Sequence, residues 1–465
     1  MDELAALFAS ATRVLTPDDD LARFEQPARG AAGRVALVVQ PASVDEVREV
    51  VRLAVGEGVR LIPQGANTGL VGASVPPADE AAVVLSTDLL AGPIRVDPVA
   101  ASAVIGAGTR LSALNGAAAE HGLHLAVDLS ADPAIGGMIA TNTGGTRVLR
   151  HGPMRDHVLG VEVVAADEGA SVFGSLGGLR KDSRGLDPMQ LAVGSGGTLG
   201  VISAAVVSLT RRPLSAQTWW LAVAEPRLVV ELLAHLEAAR PGTLSAFEYV
   251  SRAALELTLT APGSPPNPFG TELPPAAVLA EWSFASDEPA ELAGDVAAAA
   301  DAGLITDGRL VDQHGGWGLR HRVTESLRHH GTLLGHDVSA PRGEALMDVR
   351  GEAAAAVEAI APGAVLCDFG HVADGGLHLN VLIPHALGPP TPELAARLRA
   401  AIDDLVLARG GSYSAEHGLG PLNAERWLAA TPAVEQRIVA ALKSVVDPRR
   451  ILGHPRHPYN LLPAL

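Results

Sequence analysis

The sequence is poor in cysteine, lysine and aromatic residues. One of its 465 residues is cysteine, Cys367, so no disulfide can form within the chain, and a reducing compartment is expected. Only Lys181 and Lys443 are lysine, so nearly all positive charge is arginine. No run of about 18 apolar residues is present, and we expect no membrane span. The beginning of the chain, MDELAALFAS, is acidic where a signal peptide would be basic, so the expected location is the cytoplasm.

Positive charge is also in the minority. Lys and Arg number 35 against 52 Asp and Glu, which gives a net charge of −17. This balance argues against binding to nucleic acid or to anionic membranes, because both need clustered positive charge. It leaves an anionic small substrate open. With 48% hydrophobic residues the chain is not disordered, and its length predicts about two to three domains.

The first part of the chain is predicted to alternate strands and helices. Residues 35–41, VALVVQP, form an apolar run typical of a buried strand. Ser43 and Glu46 have the spacing of a capping box, which marks the start of a helix. Gly56 and Gly58 end that helix before a second strand, VRLIP. Its apolar residues at helical spacing are Val47, Val50, Val51 and Ala54.

Three glycine-rich segments follow predicted strands or precede them. They cover residues 63–72, 135–145 and 194–202. None is a Walker A loop, and none is a full dinucleotide motif of the G-x-G-x-x-G type. One such segment alone is equally well explained as a structural turn. Three together favour backbone N–H groups that converge on one extended polyanion, such as FAD.

A histidine-rich segment, FGHVADGGLHLN, reads as a β-hairpin. Asp374-Gly375 between strand-like flanks predicts a two-residue turn. This register would place His371 opposite His378, with the Cβ atoms about 4.5–5.5 Å apart. Two imidazoles with one further ligand suit a divalent metal. The alternative is a pair of structural histidines beside a turn.

The segment GGSYSAEHGLG could complete such a centre. Glu416 could be a third ligand, and in a strand-like segment His417 would point to the other side. Imidazole titrates at about pH 6.5 and can remove a hydroxyl proton. The alternative is a polar turn before the helix that contains Trp427. A domain boundary is expected earlier, at Arg211-Arg212-Pro213, where a new strand pattern begins.

Together these motifs resemble the FAD-dependent D-2-hydroxyacid dehydrogenases of the vanillyl-alcohol-oxidase superfamily, in particular the D-2-hydroxyglutarate and D-lactate dehydrogenases. The resemblance runs from about Val35 to Leu452 and implies an α+β fold. After an N-terminal segment, 1–34, residues 35–212 would form a PCMH-type FAD-binding domain of two α+β subdomains. Residues 213–465 would form the substrate cap and C-terminal FAD-linked oxidase domain, with an antiparallel sheet, helices and the metal site.

The resemblance also implies residue roles. The expected ligands of a divalent metal, with Zn²⁺ as the expected ion, are His371, His378 and Glu416. His417 is the expected general base, and Arg320, Thr324 and Asn380 are the expected substrate-binding residues. The residues expected to bind FAD noncovalently are Pro63, Gly65, Ala66, Asn67, Thr68, Gly69, Leu70, Ser74, Asp128, Gly136, Gly137, Thr141, Asn142, Gly144, Gly196, Gly197, Leu199, Gly200 and Ile202.

The implied reaction is the oxidation of a D-2-hydroxy acid, such as D-2-hydroxyglutarate or a D-lactate-like acid, to the 2-oxo acid. The metal would lower the pKa of the substrate hydroxyl, His417 would take its proton, and the C2 hydrogen would leave as hydride to flavin N5. An electron-transfer flavoprotein or a quinone is the expected electron acceptor. A homodimer is the default expectation for assembly.

The sequence departs from the family at several positions. Gly197 stands where glutamate is common, and Gly376 where asparagine is usual. Gly335 and Asn423 stand where lysine is usual, and neither is the arginine that a bias against lysine would produce. The terminal signature, similar to Asn-Pro-Gly-Lys, reads Gly453-His-Pro-Arg456.

Two other functions are therefore kept open. A metal-free flavin oxidase acting on a sugar or alcohol would have no use for His371, His378 and Glu416. A catalytically impaired flavoprotein with a binding role would explain Gly197, Gly335 and Asn423.

Overall fold

The structure is a computed structural model that describes residues 2–129, 131–287 and 291–464. The chain divides into two compact units. The first comprises the described residues of Met1–Gly144, Gly152–Arg212 and Glu416–Leu465, and the second those of Gly145–His151 and Pro213–Ala415. The first unit is thus assembled from segments far apart in sequence.

The first sheet of the first unit contains mostly parallel strands. Their bounds are β1 (Arg13–Leu15), β2 (Val35–Gln40), β3 (Leu61–Gln64) and β4 (Ala82–Ser86). The order is β1-β2-β4-β3, in which β2 and β3 run parallel to β4 and β1 runs antiparallel to β2. The predicted strands VALVVQP and VRLIP are therefore confirmed as β2 and β3.

The helix between these strands, α3 (Val44–Glu57), begins where the sequence predicts. The Ser43 side chain accepts a hydrogen bond from the Glu46 N–H, and Gly58 ends the helix in the left-handed conformation. The Glu46 carboxylate accepts from the N–H groups of Thr12 and Ala42. It therefore ties this helix to the preceding chain as well as occupying the capping-box position.

The second sheet of the first unit is antiparallel. Its strands are β5 (Arg95–Asp97), β6 (Ser102–Gly106), β8 (Val158–Val164), β9 (Val172–Gly174) and β10 (Val201–Ser208), in the order β5-β6-β10-β8-β9. A separate pair joins β7 (Leu123–His124) to β11 (Thr210–Arg211). Two sheets in one unit agree with the two α+β subdomains expected for this fold.

Short helices complete the first unit. They are α1 (Asp2–Leu7), α2 (Ala22–Glu25), α3, α4 (Leu111–Ala119), α5 (Ile135–Thr141), α7 (Met154–His157), α14 (Ala424–Ala430), α15 (Ala433–Val446) and α16 (Pro458–Leu461). Of these, α3 packs Val47, Val50 and Val51 into a core with Leu37 and Leu85 of the first sheet. Burial of such aliphatic side chains stabilises the fold by roughly 1.5–3 kcal/mol each.

The second unit is built on one large antiparallel sheet. Its strands are β12 (Ser215–Val223), β13 (Leu244–Ser251), β14 (Ala276–Phe284), β15 (Ile305–Val311), β16 (Gly331–Leu334), β17 (Asp337–Ser339), β18 (Val365–Gly370) and β19 (Gly376–Pro384). The order is β15-β12-β14-β13-β18-β19-β16, and β17 pairs with β19. This sheet confirms the antiparallel sheet expected for the C-terminal part.

Helices cover both faces of this sheet. They are α6 (Val148–His151), α8 (Val229–Ala239), α9 (Arg252–Thr260), α10 (Ala293–Asp301), α11 (Gln313–Arg328), α12 (Glu344–Ile360) and α13 (Pro392–Ala408). Strand alternation separates two cores: Trp219 packs on the side of α8 and α10, and its neighbour Trp220 on the side of α9 and α11. In the described part of the chain no helix is long and apolar enough to cross a membrane.

Candidate active site

A cavity of about 460 Å³ lies within the first unit. The three glycine-rich segments of the sequence line it, together with Glu416 and His417. Its volume falls in the range of sites that hold small molecules and cofactors. The three segments therefore meet at one cavity.

Most residues predicted to bind FAD line this cavity. They are Pro63, Gly65, Ala66, Asn67, Thr68, Gly69, Leu70, Ser74, Gly136, Gly137, Thr141, Gly196, Gly197, Gly200 and Ile202. The predicted residues outside the lining are Asp128, Asn142, Gly144 and Leu199. Asn142 instead ends α5 in the left-handed conformation, and its Oδ1 accepts from the Arg155 N–H.

The first glycine segment is held by its own polar side chains. Asn67, at a φ of 56°, donates from Nδ2 to the carbonyl oxygens of Arg23 and Gln26. Its Oδ1 accepts from the Ser74 hydroxyl at 2.8 Å. The buried Gln64 side chain donates to the Ser74 carbonyl oxygen at 2.6 Å. The wall formed by this segment is therefore fixed by hydrogen bonds rather than by a regular element.

The second glycine segment forms helix α5, which lies against the neighbouring backbone. A Cβ atom on Gly136 would lie 2.7 Å from the Ala107 Cβ and 3.1 Å from the Ala107 carbonyl oxygen. Only glycine permits this approach. Because α5 carries Gly137 and Thr141 to the cavity wall, the close contact at Gly136 sets the position of that wall.

The third glycine segment is braced by the end of the chain. Lys443 on α15 is fully buried and donates to the Thr198 carbonyl oxygen at 2.7 Å and to the Leu452 carbonyl oxygen at 3.2 Å. Its ammonium group also pairs with Asp447 at 2.5 Å. Burial lowers the pKa of Lys443 to about 8, although the Asp447 carboxylate opposes that shift. Sequence analysis noted Lys443 only as a rare residue type and missed this role.

Glu416 and His417 lie on a loop that lines the same cavity. The expectation that His417 points away from Glu416 held only for a strand-like segment, and these residues lie outside any regular strand. The expectation is wrong, because ligand atoms of the two side chains lie within 4.8 Å of each other. Asn423, which stands where the family resemblance leads us to expect lysine, donates from Nδ2 to the Gly418 carbonyl oxygen at 2.9 Å. It therefore helps to hold the loop that presents His417.

The predicted register of the histidine hairpin is wrong by two residues. His378 lies opposite Phe369, and Asn380 opposite Cys367. The connection spans residues 371–375, because the Asp374 Oδ1 accepts from the Gly376 N–H and the His371 carbonyl oxygen accepts from the same N–H. Asp374 thus closes a longer turn instead of forming the centre of a two-residue turn.

His371 and His378 nevertheless meet at the end of the hairpin. Their rings pack edge to face with centroids 5.5 Å apart, and the Phe369 ring lies 5.3 Å from that of His378. On the other side of β19, Asp337 is the strand partner of His378, with Oδ1 at 3.5 Å from Nδ1. Asp337 is a candidate ligand that the sequence analysis did not single out.

A buried carboxylate joins two of the predicted site residues in the second unit. Glu248, with 1% of its surface exposed, places Oε1 2.7 Å from His371 Nδ1 and Oε2 2.9 Å from Arg320 Nε. Burial alone would raise the pKa of Glu248, but the charges of His371 and Arg320 and their hydrogen bonds lower it to about 2. Glu248 was missed, although a single acid within the apolar strand LSAFEYVS signals a buried partner.

The remaining predicted substrate residues lie nearby in the same unit. Arg320 is buried on α11, and its guanidinium lies 4.7 Å from the centre of the Phe369 ring. Asn380 is buried on β19, two residues after His378 and so on the same face of the sheet. Thr324 lies one turn after Arg320 on α11, at an exposed position.

Two family descriptions cover most of the chain. Residues 35–172 match "FAD binding domain", and residues 213–454 match "FAD linked oxidases, C-terminal domain". The chain belongs to the FAD-linked D-2-hydroxyacid dehydrogenase family. It is accordingly an FAD-dependent oxidoreductase that acts on a CH–OH donor.

Similar proteins carry consistent names. The mitochondrial D-2-hydroxyglutarate dehydrogenase of Bos taurus is 34% identical over 99% of this chain and 84% of its own length. The D-2-hydroxyglutarate dehydrogenase of Xanthomonas citri is 33% identical over 90% of this chain and 88% of its own. The D-2-hydroxyglutarate–pyruvate transhydrogenase of Saccharomyces cerevisiae is 28% identical over 94% and 89%.

Solved structures confirm the fold. The p-cresol methylhydroxylase structure superimposes with a TM-score of 0.71 at 17% identity, over 97% of this chain and 94% of its own. An alkyldihydroxyacetonephosphate synthase gives a TM-score of 0.69, also at 17% identity, over 97% and 83%. At this identity the likeness concerns the fold alone, which is the predicted PCMH-type fold.

Proposed function

We propose that this oxidoreductase uses FAD and a divalent metal to oxidise a D-2-hydroxy acid to the 2-oxo acid. The observation that carries the proposal is the cavity of the first unit, where three glycine-rich segments and His417 line one space. A cofactor site and a candidate base on the same wall suit the removal of a proton and a hydride from one carbon centre. The names of the relatives support the choice of a 2-hydroxy acid.

The residues of the cavity fit FAD. Backbone of the three glycine segments can approach a pyrophosphate closely, as Gly136 and the left-handed Gly196 and Gly197 illustrate. When bound, the flavin supplies the acceptor for the C2 hydrogen of the substrate. The chain's own contribution is to orient the flavin and to exclude water from it.

The proposed metal ligands are His371, His378 and Glu416, with Asp337 as a further candidate. Imidazole and carboxylate groups are the donors that Zn²⁺ prefers in catalytic sites, so the residue types fit the ion. Within the second unit, His378 lies beside both His371 and Asp337. The Ala415 N–H donates to the Asp337 carbonyl oxygen at 3.2 Å, and Glu416 is the next residue in the chain. A bound metal would supply Lewis acidity toward the substrate hydroxyl.

His417 is proposed to take the proton from the substrate hydroxyl. Arg320 and Asn380 are proposed to bind the substrate carboxylate. Asn380 lies on the same face of β19 as His378, and Arg320 of α11 lies over the Phe369 ring that packs against His378. Arg320 Nε donates to Glu248 and Nη2 forms an ion pair with the same oxygen, and a guanidinium has five N–H donors in all, more than one carboxylate oxygen can take. Thr324 is also proposed to bind the substrate, as the family resemblance implies.

The substrate could carry one carboxylate, as D-lactate does, or two, as D-2-hydroxyglutarate does. Gly335 has no side chain where the family resemblance leads us to expect lysine, but Arg399 on α13 donates to the Gly335 carbonyl oxygen at 3.4 Å. A cation therefore lies beside this position. We propose that Arg399 binds the second carboxylate of a dicarboxylic acid such as D-2-hydroxyglutarate. Arg399→Ala should then raise KM for the dicarboxylic acid more than for D-lactate.

A second candidate concerns the acceptor. An electron-transfer flavoprotein or a quinone is the proposed acceptor, but the name of the yeast relative favours a 2-oxo acid such as pyruvate. Mixing the reduced protein with pyruvate in the absence of oxygen separates the two, because only a transhydrogenase would recover the yellow flavin. A cytoplasmic location and a homodimer stay predictions from the sequence.

The proposed function is tested by an anaerobic screen of D- and L-2-hydroxy acids of increasing length, with flavin absorbance as the signal. We expect D-acids alone to bleach the flavin, and a metal chelator to abolish the reaction. Bleaching by sugars or alcohols with the metal removed would overturn the proposal in favour of a metal-free oxidase. Stable FAD binding without bleaching by any acid would favour a binding role.

A further inference from the structure

The structure assigns to Glu248 the role of a positioning residue that fixes the tautomer of His371 and thereby makes His371 a metal ligand. This inference rests on the proposed metal site. Glu248 was singled out by no sequence motif, and it lies 123 residues before His371 in the chain.

The hydrogen bond between the two residues decides the tautomer. The Glu248 carboxylate is buried beside the permanently charged Arg320, so it is ionised and can only accept hydrogen bonds. His371 Nδ1, at 2.7 Å from Glu248 Oε1, must therefore carry the proton and donate it to that bond. When the ring is neutral, this tautomer carries the lone pair on Nε2, so Nε2 is the atom through which His371 would bind a metal.

The second oxygen of Glu248 fixes the position of the carboxylate. Oε2 accepts a hydrogen bond from Arg320 Nε at 2.9 Å and forms an ion pair with Arg320 Nη2 at 2.7 Å. Arg320 in turn lies over the Phe369 ring, and Phe369 packs against His378. One buried carboxylate thus orients His371 directly, and the chain of contacts from Arg320 through Phe369 supports the neighbouring His378.

Carboxylates that hold the outer nitrogen of a metal-binding histidine contribute strongly to metal affinity. Loss of such a partner costs about 10–100-fold in affinity, because the ring loses both its orientation and part of its basicity. We therefore expect Glu248→Gln to weaken Zn²⁺ binding by 10–100-fold while the FAD content stays unchanged, since the FAD cavity lies in the first unit.

A matched control lies in the same sheet. Asp368 on β18 is also fully buried and pairs with an arginine, Arg350, at 2.6 Å. It faces the opposite side of the sheet, where Arg350 of α12 donates to both of its carboxylate oxygens. Asp368→Asn should therefore disturb a buried ion pair to a similar extent and leave the Zn²⁺ affinity within about twofold.

The experiment is a competition between the metal-free protein and a chromogenic chelator for Zn²⁺, without substrate, for wild type, Glu248→Gln, Asp368→Asn and His371→Ala. If the unpaired Arg320 prevents Glu248→Gln from folding, the double variant Glu248→Gln, Arg320→Gln removes both charges and carries the same expectation. Weakened binding in Glu248→Gln and His371→Ala, but not in Asp368→Asn, supports the inference.

Two other outcomes distinguish failure of the proposed role of Glu248 from failure of the proposed metal site. Wild-type affinity in Glu248→Gln with lost affinity in His371→Ala would overturn the role of Glu248 and keep the metal site. Unchanged affinity in His371→Ala, or no stoichiometric Zn²⁺ in the wild-type protein, would overturn the metal site itself and this inference with it.

Discussion

The ammonium group of Lys443 lies 2.7 Å from the carbonyl oxygen of Thr198, a residue 245 positions earlier in the chain. Thr198 belongs to the third glycine segment, whose neighbours Gly196 and Gly197 line the cofactor cavity. Asp447, which pairs with Lys443, also accepts from the N–H groups of Ile451 and Leu452. The carbonyl oxygen of Ile451 in turn accepts from the Leu61 N–H of β3. A fully buried lysine thus couples the end of the chain to the wall of the FAD site.

Replacing Lys443 by methionine should destabilise the first unit by about 3–5 kcal/mol, because the Asp447 carboxylate would remain buried without its counter-ion. FAD affinity should fall as well, since the Thr198 carbonyl loses its donor. Urea unfolding and FAD titration measure both effects. Lys181→Met is the matched control, because Lys181 is the other lysine and is exposed. Equal stability and FAD affinity in the two variants would contradict the proposed role of Lys443 in holding the third glycine segment.

Two buried histidines near the end of the chain predict sensitivity to acid. Burial, with help from nearby positive charge, lowers the pKa of His454 to about 4 and that of His457 to about 3. Both use Nδ1 as an acceptor, from the N–H groups of Arg456 and Tyr459. Unfolded histidine titrates at about pH 6.5, so between pH 6.5 and 4 the unfolded state takes up protons that the folded state does not.

The free energy of unfolding should therefore decrease as the pH is lowered through this window, by up to about 1.4 kcal/mol per pH unit for each histidine. His457→Asn keeps an acceptor for the Tyr459 N–H but cannot titrate, and it should flatten the dependence by about that amount. Urea unfolding at pH 6 and pH 4.5 tests this. An unaltered slope in His457→Asn would show that its imidazole is not held neutral.

Gly136→Ala should destabilise the first unit by about 1–3 kcal/mol, because the added methyl group would overlap Ala107. The shift of α5 should also weaken FAD binding. Gly116→Ala on α4 is the control: its added methyl group meets nothing within 4 Å, and the change should stabilise the helix by about 0.5–1 kcal/mol. Thermal unfolding with and without FAD measures both effects. A wild-type unfolding temperature for Gly136→Ala in both conditions would contradict the close contact with Ala107.

His417→Ala should slow flavin reduction by about 10²–10⁴-fold, the usual contribution of a general base. FAD should remain bound, since the three glycine-rich segments also line the cavity. His121→Ala removes an exposed histidine of the same unit and should change neither quantity. Stopped-flow absorbance gives the rate, and a near-normal rate in His417→Ala would remove it from the role of base.

Local patterns explain why much of this fold could be predicted from the sequence. The run VALVVQP and the Ser43 cap depend on residues within one turn or one strand of each other, and both form as expected. The glycine segments could be assigned to one cavity because each carries its own conformational signal. One glycine-rich segment alone could be a structural turn, so the prediction of a shared site depended on all three segments together.

Contacts between distant residues could not be predicted in this way. The hairpin register depends on the Asp374 side chain, which accepts a hydrogen bond from the Gly376 N–H and lengthens the turn. The predicted two-residue turn and the observed longer turn contain the same Asp-Gly sequence, so the sequence does not distinguish them. Glu248 meets Arg320 at a separation of 72 residues. The strand LSAFEYVS signals that Glu248 has a buried partner, but nothing local identifies Arg320 as that partner, because the packing of the strands against α11 determines it.

The central claim is that bound FAD takes two electrons from a D-2-hydroxy acid, and a single turnover without oxygen tests it most directly. The metal-loaded protein is mixed with the most effective D-acid of the screen, and both flavin absorbance and 2-oxo acid are quantified. We predict one equivalent of 2-oxo acid per flavin bleached, and no bleaching with the L-enantiomer. Bleaching without 2-oxo acid, or equal bleaching by both enantiomers, would contradict the account.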